Sequence, residues 1–412
     1  MFLKNFKKIK SNSNFQQLGL AFLIVSIWQL CLQLINQFVL PLINQNNLIN
    51  KSPNIGILTN WFRWDSGWYY YIAKTGYHYV HTIKPIPQTV VFFPAFPLID
   101  RVIHFLTGLS YAFSGLLINY LFTIGIIFII IKIWPILIAK YSKNDSEYKL
   151  KNYYLPLILI LSIPTIFVFS SFYSDATLVF FILLALYLAF KKKYLFAALS
   201  AGVASATIIT GVVAVIGLVF IYIEQEEVFK LKPNDMIKEH LLKLIGLGLV
   251  GVWGLLYYML YLQLRFKAFF SFYTDEKAWG RNGGSFLDNL KNIWIDNYAK
   301  IFDPKFFGSH ATYLINLTDM LAVLAILFII IWSIKYKSLW LGFYSLVVLI
   351  LPISSGSITS INRYFLVLIP GVIFFLATLN KKSYNYLYFL LPILFISEII
   401  LMVYFLSNIY VF

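Results

Sequence analysis

Long apolar runs separated by short polar connections set the pattern of this chain. A helix needs roughly twenty apolar residues to cross a hydrocarbon core of about 30 Å. Runs near that length fall at 18–40, 111–139, 153–170, 173–190, 194–209, 210–223, 244–264, 311–333, 338–353, 364–380 and 384–408. They predict an all-α polytopic membrane protein of about eleven transmembrane helices in one domain over residues 1–412. The two runs between 194 and 223 are short, and one long helix kinked near Thr210-Gly211 is the alternative there. The first run follows Lys4, Lys7, Lys8 and Lys10, is too long for a signal-peptide core, and has no small-residue cleavage site after it; it reads as an anchor.

Composition agrees: 60% hydrophobic, 12% charged and a mean hydropathy of +0.77 exclude an ordinary soluble domain. Cys31, the only cysteine, lies inside the first run and permits no internal disulfide.

A net charge of +16 could suggest nucleic acid, but the positive residues follow the loops. Lysine clusters at 4–10, 140–151, 191–193, 230–243, 335–337 and 381–382 occupy every second connection. The positive-inside rule then places the N-terminus in the cytoplasm and two large loops, 41–110 and 265–310, outside. Arginine is distributed differently. Arg63, Arg101, Arg265, Arg281 and Arg363 all fall on the predicted outer face, together with the turns around Ser170–Asp175 and Ser354–Arg363. Arginine presents a planar fork that matches phosphate oxygens, so an arginine-collecting face is a candidate phosphate-handling face; snorkelling anchors are the plainer explanation. Nucleotide sugars and ATP are cytoplasmic, so an outer-face enzyme would draw its activated group from a lipid carrier.

The first outer loop carries the densest chemistry. Residues 61–77, WFRWDSGWYYYIAKTGY, have the tryptophan and tyrosine content of an interfacial helix. At 100° per residue, Arg63 and Asp65 project about 200° apart on such a helix and cannot pair with each other. Asp65 shares its face with Trp61, Trp68, Tyr69 and Ile72, while Arg63 shares its face with Ser66, Tyr70, Lys74 and Tyr77. Apolar surroundings move a carboxyl toward the range that a general base needs, which makes Asp65 a candidate base; a juxtamembrane aromatic belt with two incidental charges is the other reading.

Downstream, Phe92-Phe93-Pro94-Ala95-Phe96-Pro97-Leu98 predicts a rigid aromatic corner, because each proline removes an amide donor and disfavours helix before it. A second interfacial helix from Leu98 to Gly108 would gather Asp100, Arg101 and His104 in one polar patch, with Asp100 and His104 facing water.

Three pieces of this loop resemble the first lumenal loop of the PIG-V-type mannosyltransferases, GT-C-fold enzymes whose eukaryotic members add the second mannose to glycosylphosphatidylinositol. They are Arg63-Trp64-Asp65, the stretch Ile72-Ala73-Lys74-Thr75-Gly76-Tyr77, and Phe92 to Leu98, with a longer spacer between Tyr77 and Phe92 than the eukaryotic form has. Ile163-Pro164-Thr165 through Tyr173-Ser174-Asp175 is similar to a segment ending in Tyr-Ser-Glu, with Asp175 in place of the glutamate. Ala206-Thr207-Ile208-Ile209-Thr210-Gly211 is similar to a Thr-Arg-Ser-x-Gly segment, with Ile208 where arginine is common. Trp279-Gly280-Arg281 and Ser360-Ile361-Asn362-Arg363-Tyr364 are reminiscent of prokaryotic members.

The resemblance implies a GT-C-type bundle, a polyprenyl-phosphate sugar donor carrying mannose, a lipid- or glycan-linked acceptor and inverting transfer on the extracytoplasmic face of a prokaryotic plasma membrane, or in the endoplasmic reticulum if the source is eukaryotic. Polyprenyl phosphate leaves as a stable anion, so one base suffices: Asp65 would accept the acceptor hydroxyl's proton. Arg63, Arg363, Arg281 and Arg101, in that order, would neutralise the departing phosphate. Trp61, Trp64, Trp68, Tyr69, Tyr77, Phe92, Phe93, Pro94, Tyr173 and Asp175 would line the substrate pocket. No cofactor or metal is implied, since the histidines show no ligand spacing. Asp275-Glu276 could hold a divalent cation beside the donor phosphate, but a solvated acidic pair is the simpler reading. The rival classes are a lipid-linked-glycan flippase or transporter, which would show internal repeats and mid-membrane charges, and an outer-face glycan ligase. Lys132, Asp319 and Glu398 are the ionisable groups that fall inside the apolar runs away from their ends.

Overall fold

The computed structural model describes residues 13–43, 53, 55–142, 146–281, 283, 285–293, 310–357 and 360–411. Among these the chain is helical, with no strand. The principal helices are α1 (Asn14–Phe38), α2 (Ser66–Thr75), α3 (Ala95–Thr107), α4 (Tyr111–Tyr141), α5 (Tyr154–Leu161), α6 (Asp175–Phe190), α7 (Tyr194–Ser205), α8 (Val213–Gln225), α9 (Leu242–Gly251), α10 (Trp253–Phe266), α11 (Phe286–Ile293), α12 (His310–Lys335), α13 (Leu339–Ser354), α14 (Ile369–Thr378) and α15 (Lys381–Leu406).

Local sequence sets several of the ends. A reciprocal capping box starts α1: the Ser13 hydroxyl accepts from the Gln16 amide at 3.2 Å, and the Gln16 side chain accepts from the Ser13 amide at 3.0 Å. Gly108 stops α3 in the left-handed region, at φ 72°. Lys149, in the lysine cluster assigned to topology, is buried and donates to the carbonyls of Ala377 and Leu379 at 2.8 Å each, beside the C-terminal end of α14.

Among the described residues five segments are long and apolar enough to cross a membrane: Asn14–Leu42, Tyr111–Tyr141, Tyr313–Lys335, Ile361–Thr378 and Lys381–Leu406. A sixth is added if Pro233–Gly251 and Trp253–Phe266 form one span bent by 54°. The predicted apolar runs all carry helix, but several are shorter than a span. Those at 173–190, 194–209, 210–223 and 338–353 fold as helices of 16, 12, 13 and 16 residues. The run at 153–170 divides where Pro164 cannot continue the helix, leaving α5 and a 3₁₀ turn, Ile166–Ser170. Between α7 and α8 the chain is broken rather than kinked: Ile208 is extended and Ile209–Val212 is 3₁₀. Gly211 passes so close to α7 that a Cβ there would lie 1.9 Å from the Ala204 carbonyl oxygen.

These broken inner helices form the core. Helix α6 packs against α4, α7 and α8, and α8 also packs against α13. Large apolar side chains point outward from the longer helices, among them Phe22 and Leu30 on α1, Ile331 on α12 and Phe389 on α15. That outward greasy surface is what a lipid solvent requires. Within it Glu398 is buried and accepts from the Trp28 indole N–H at 3.1 Å.

Candidate active site

The continuous helix predicted for 61–77 does not form. Gly56–Trp61 is 3₁₀, Phe62 and Arg63 run without helix, and Trp64 adopts φ 50° in the left-handed region before α2 begins at Ser66. Asp65 still shares a cavity with Trp68 and Tyr69 of the face assigned to it, while Trp61 and Ile72 lie outside that cavity. Its side chain does not cap α2. Instead the carboxylate accepts from Arg363 Nη1 at 2.9 Å, while its backbone N–H lies 3.3 Å from the Tyr173 hydroxyl oxygen.

Arg363 lies between two carboxylates. Its Nε stands 3.7 Å from Asp175 Oδ1, and its guanidinium sits 5.3 Å from the Tyr173 ring centre and 5.9 Å from that of Tyr364. Asp175 is the first residue of α6, where the helix N-terminus favours negative charge. The turn before it is held by Asn119 of α4, whose amide donates to the carbonyls of Ser171 and Tyr173 at 2.6 and 2.8 Å. Tyr69 of α2 bonds the Ser174 hydroxyl at 2.7 Å, and burial pushes its phenol pKa well up, so the phenol stays protonated.

A second arginine flanks Tyr364. Arg281 Nη2 donates to the Tyr364 hydroxyl at 2.8 Å and Nη1 to Glu276 at 3.3 Å, with the guanidinium 5.5 Å from the Tyr364 ring centre. Burial raises the Glu276 carboxyl pKa, and the Arg281 charge only partly offsets it. The two arginines thus share one tyrosine ring. They open with Asp65 and Glu276 onto a cavity of about 480 Å³, within the usual size range of ligand pockets. Its aromatic wall stacks Trp68 on Phe92 with ring centres 5.5 Å apart, and Trp279 meets both edge-on at 5.9 Å. Trp64, Tyr69 and Phe93 also line it, as do Ile208 and Tyr410. Ile208 therefore puts an apolar side chain in the wall.

The aromatic corner is real but shorter than predicted. It ends at Pro94, and α3 begins at Ala95 with Pro97 tolerated in its first turn. Tyr77 and Tyr258 fix the corner from behind, donating at 2.7 Å to the carbonyls of Phe92 and Val90, and the Ala95 amide donates to the Ala206 carbonyl at 2.9 Å.

Several predicted site residues lie elsewhere. Arg63 is buried and committed to protein: Nε donates to the Leu406 carbonyl at 3.0 Å, Nη2 to Asn60 at 3.0 Å and Nη1 to the Phe62 carbonyl at 3.3 Å. It ties the loop to the end of α15 and does not line the cavity. Arg101 caps the C-terminal end of α2 through the carbonyls of Ala73 and Ile72, at 2.9 and 3.2 Å, and lines a separate cavity of about 220 Å³ with Tyr77 and Pro94. Trp61 packs toward α1, donating to Gln33 at 2.9 Å. Tyr173 is buried beneath Asp65 rather than in the cavity wall.

The predicted Asp100–Arg101–His104 patch does not form. Asp100 is fully buried against α4, where it accepts from the Ser114 hydroxyl, and burial raises its pKa to about 7. His104 stacks on Tyr111 with ring centres 3.8 Å apart. Asp275 and Glu276 also diverge, since Asp275 accepts from the Gln88 amide at 3.2 Å while Glu276 pairs with Arg281. Among the described residues no group of three or more His, Cys, Asp or Glu side chains converges on a metal-sized site.

Sequence reasoning did not assign Glu276, Trp279, Tyr364 or Tyr410 to the site. Trp279 and Tyr364 sit beside arginines in motifs already noted, which was the available signal; Glu276 was raised only as half of a candidate cation pair, and Tyr410 had no signal. No protein-family model, curated protein or solved structure matches the chain.

Proposed function

We propose that this chain is a GT-C-type, polyprenyl-phosphate-dependent hexosyltransferase that moves one sugar, mannose by resemblance, to a lipid- or glycan-linked acceptor on the extracytoplasmic face. The observation that carries the reading is the cluster Asp65–Arg363–Asp175, of which Asp65 and Arg363 line one cavity with Arg281 beside the aromatic corner while Asp175 is buried behind Arg363. It gives one accessible carboxylate for a proton and two guanidiniums for a phosphate.

In this reading the acceptor hydroxyl attacks the anomeric carbon from the face opposite the phosphate. Its proton passes to Asp65, the new glycosidic bond forms, and the bond from the anomeric carbon to the phosphate oxygen breaks with its electron pair leaving on polyprenyl phosphate. Arg363 and Arg281 stabilise the charge that develops there. A phosphate beside Arg363 exchanges one anionic partner of that guanidinium for another, leaving Asp65 available to the hydroxyl. Trp68, Phe92 and Trp279 supply apolar surface for the sugar or the first isoprene unit.

Mass spectrometry of lipid-linked and surface glycans from cells with and without the chain tests the activity. The proposal expects one glycan or glycolipid to lose a single hexose when the chain is absent; an unchanged glycan profile contradicts it.

A further inference from the structure

Asp319 is a buried carboxylate within α12, in a segment long and apolar enough to span a membrane, and it lines no part of the cavity. An ionisable group in such a place is costly and is usually retained for a function. Its Oδ1 accepts the backbone N–H of Asn362 at 3.1 Å. Asn362 is held at every other polar point of its backbone and at its amide nitrogen. Its Nδ2 donates to Thr318 of α12 at 3.1 Å and to the Val411 carbonyl at 3.0 Å, and its own carbonyl accepts from the Thr165 hydroxyl at 2.9 Å. Three distant parts of the chain therefore converge on one residue, immediately before the arginine that meets Asp65. On the other side, Ser360 sits in the left-handed region at φ 71° and bonds the Tyr410 hydroxyl at 3.0 Å.

We infer that Asp319 and Asn362 are positioning residues: they clamp the Ser360–Tyr364 turn so that Arg363 is aimed between Asp65 and Asp175 and Tyr364 is aimed at Arg281. Long side chains aim poorly unless their backbone is fixed, and small misplacements of a charge-stabilising group are costly in rate. A simple cap would only add stability. A clamp also sets where the guanidinium points. The affinity half of the test rests on the proposed function, whereas the structural half does not.

With five arginines in the chain, ¹⁵N-arginine side-chain spectra of the purified protein resolve Arg363 directly, and Arg363→Lys assigns it. The wild type and Asp319→Asn, which keeps an acceptor, should give the same slowly exchanging Arg363 signal. Asp319→Ala and Asn362→Ala should move it toward a mobile, fast-exchanging guanidinium while leaving the Arg63 signal in place. Thr318→Val, which removes one tie only, should broaden it, and serves if the alanine variants do not fold. In parallel, binding of a sugar-free polyprenyl monophosphate in nanodiscs should weaken about tenfold in Asp319→Ala, the scale of one charge-assisted hydrogen bond. It should weaken no further when Arg363→Ala is added than in Arg363→Ala alone. An Arg363 signal that ignores these substitutions, or a loss in Asp319→Ala that adds to that of Arg363→Ala, overturns the inference. If the wild type binds no polyprenyl monophosphate, the proposed function fails and the spectra still decide the clamp.

Discussion

Asp65 and Arg363, 298 residues apart in sequence, are joined at 2.9 Å, so that the candidate base and the best-placed phosphate ligand are each other's partners. The two side chains therefore act as one unit, with Asp175 on the far side of the guanidinium.

Replacing Arg363 by lysine keeps the charge but loses the fork that faces both carboxylates. Transition-state stabilisation should suffer more than folding, with the transfer rate down by about 10² to 10³, the range for removing one preorganised donor. Steady-state transfer from a synthetic polyprenyl-phosphate sugar, set beside the variant's thermal midpoint, checks both parts.

Arg63 should behave in the opposite way. Its donors are spent on the Leu406 carbonyl, Asn60 and Phe62, so Arg63→Ala should cost about 1.5–3 kcal/mol of stability. The KM for donor in the folded fraction should not change. Thermal unfolding in detergent and donor titration separate the two outcomes, and a donor KM that rises without loss of stability would return Arg63 to the site.

Asp100 predicts a pH dependence of stability. Its folded pKa, raised to about 7 by burial from an ordinary 3.8, means that the folded state holds the proton more tightly than the unfolded chain. Between those values stability falls as pH rises, and above about 7 no more is lost from this group. Asp100→Asn should flatten that slope. Unfolding midpoints of the two proteins from pH 4 to pH 8 should diverge in this window and run parallel above it.

Gly211→Ala should disturb the cavity wall at Ile208 and Ile209, because the new methyl would meet the Ala204 carbonyl oxygen at 1.9 Å. Overpacking of this kind costs about 1–3 kcal/mol. A lowered thermal midpoint together with reduced transfer is the expected result.

Topology can be read with thiol labels in a Cys31→Ser background. Ile83, fully exposed between Tyr77 and Phe92, and Lys192, exposed at the turn between α6 and α7, are the sites to use. Cysteines there should react from opposite sides of intact cells.

What the sequence disclosed, and what it hid, follows from the range of the interactions. Apolar runs and prolines act locally, so the helices and the Phe92–Pro94 part of the corner were legible in outline, while the break that Pro164 makes in the 153–170 run was passed over. The lengths of α6, α7, α8 and α13 were not legible, because the ends of these shorter helices depend on their neighbours in the bundle. The left-handed Trp64 has no sequence signature, since glycine and asparagine are the usual occupants of that region. Missing it drew 61–77 as one continuous helix and made Arg63 look like the phosphate ligand. Asp100 was assigned to water because its partner, Ser114, belongs to the next helix. The pairing of Asp65 with Arg363 depends on the packing of the whole chain, and no local pattern announces it.

The most direct test is transfer of labelled sugar from a synthetic polyprenyl-phosphate donor by membranes carrying the wild-type chain or Asp65→Asn. The asparagine preserves the shape of the site and removes the base. The account predicts transfer by the wild type and its near-complete loss in the variant while polyprenyl-phosphate binding persists. Equal transfer by both would contradict it.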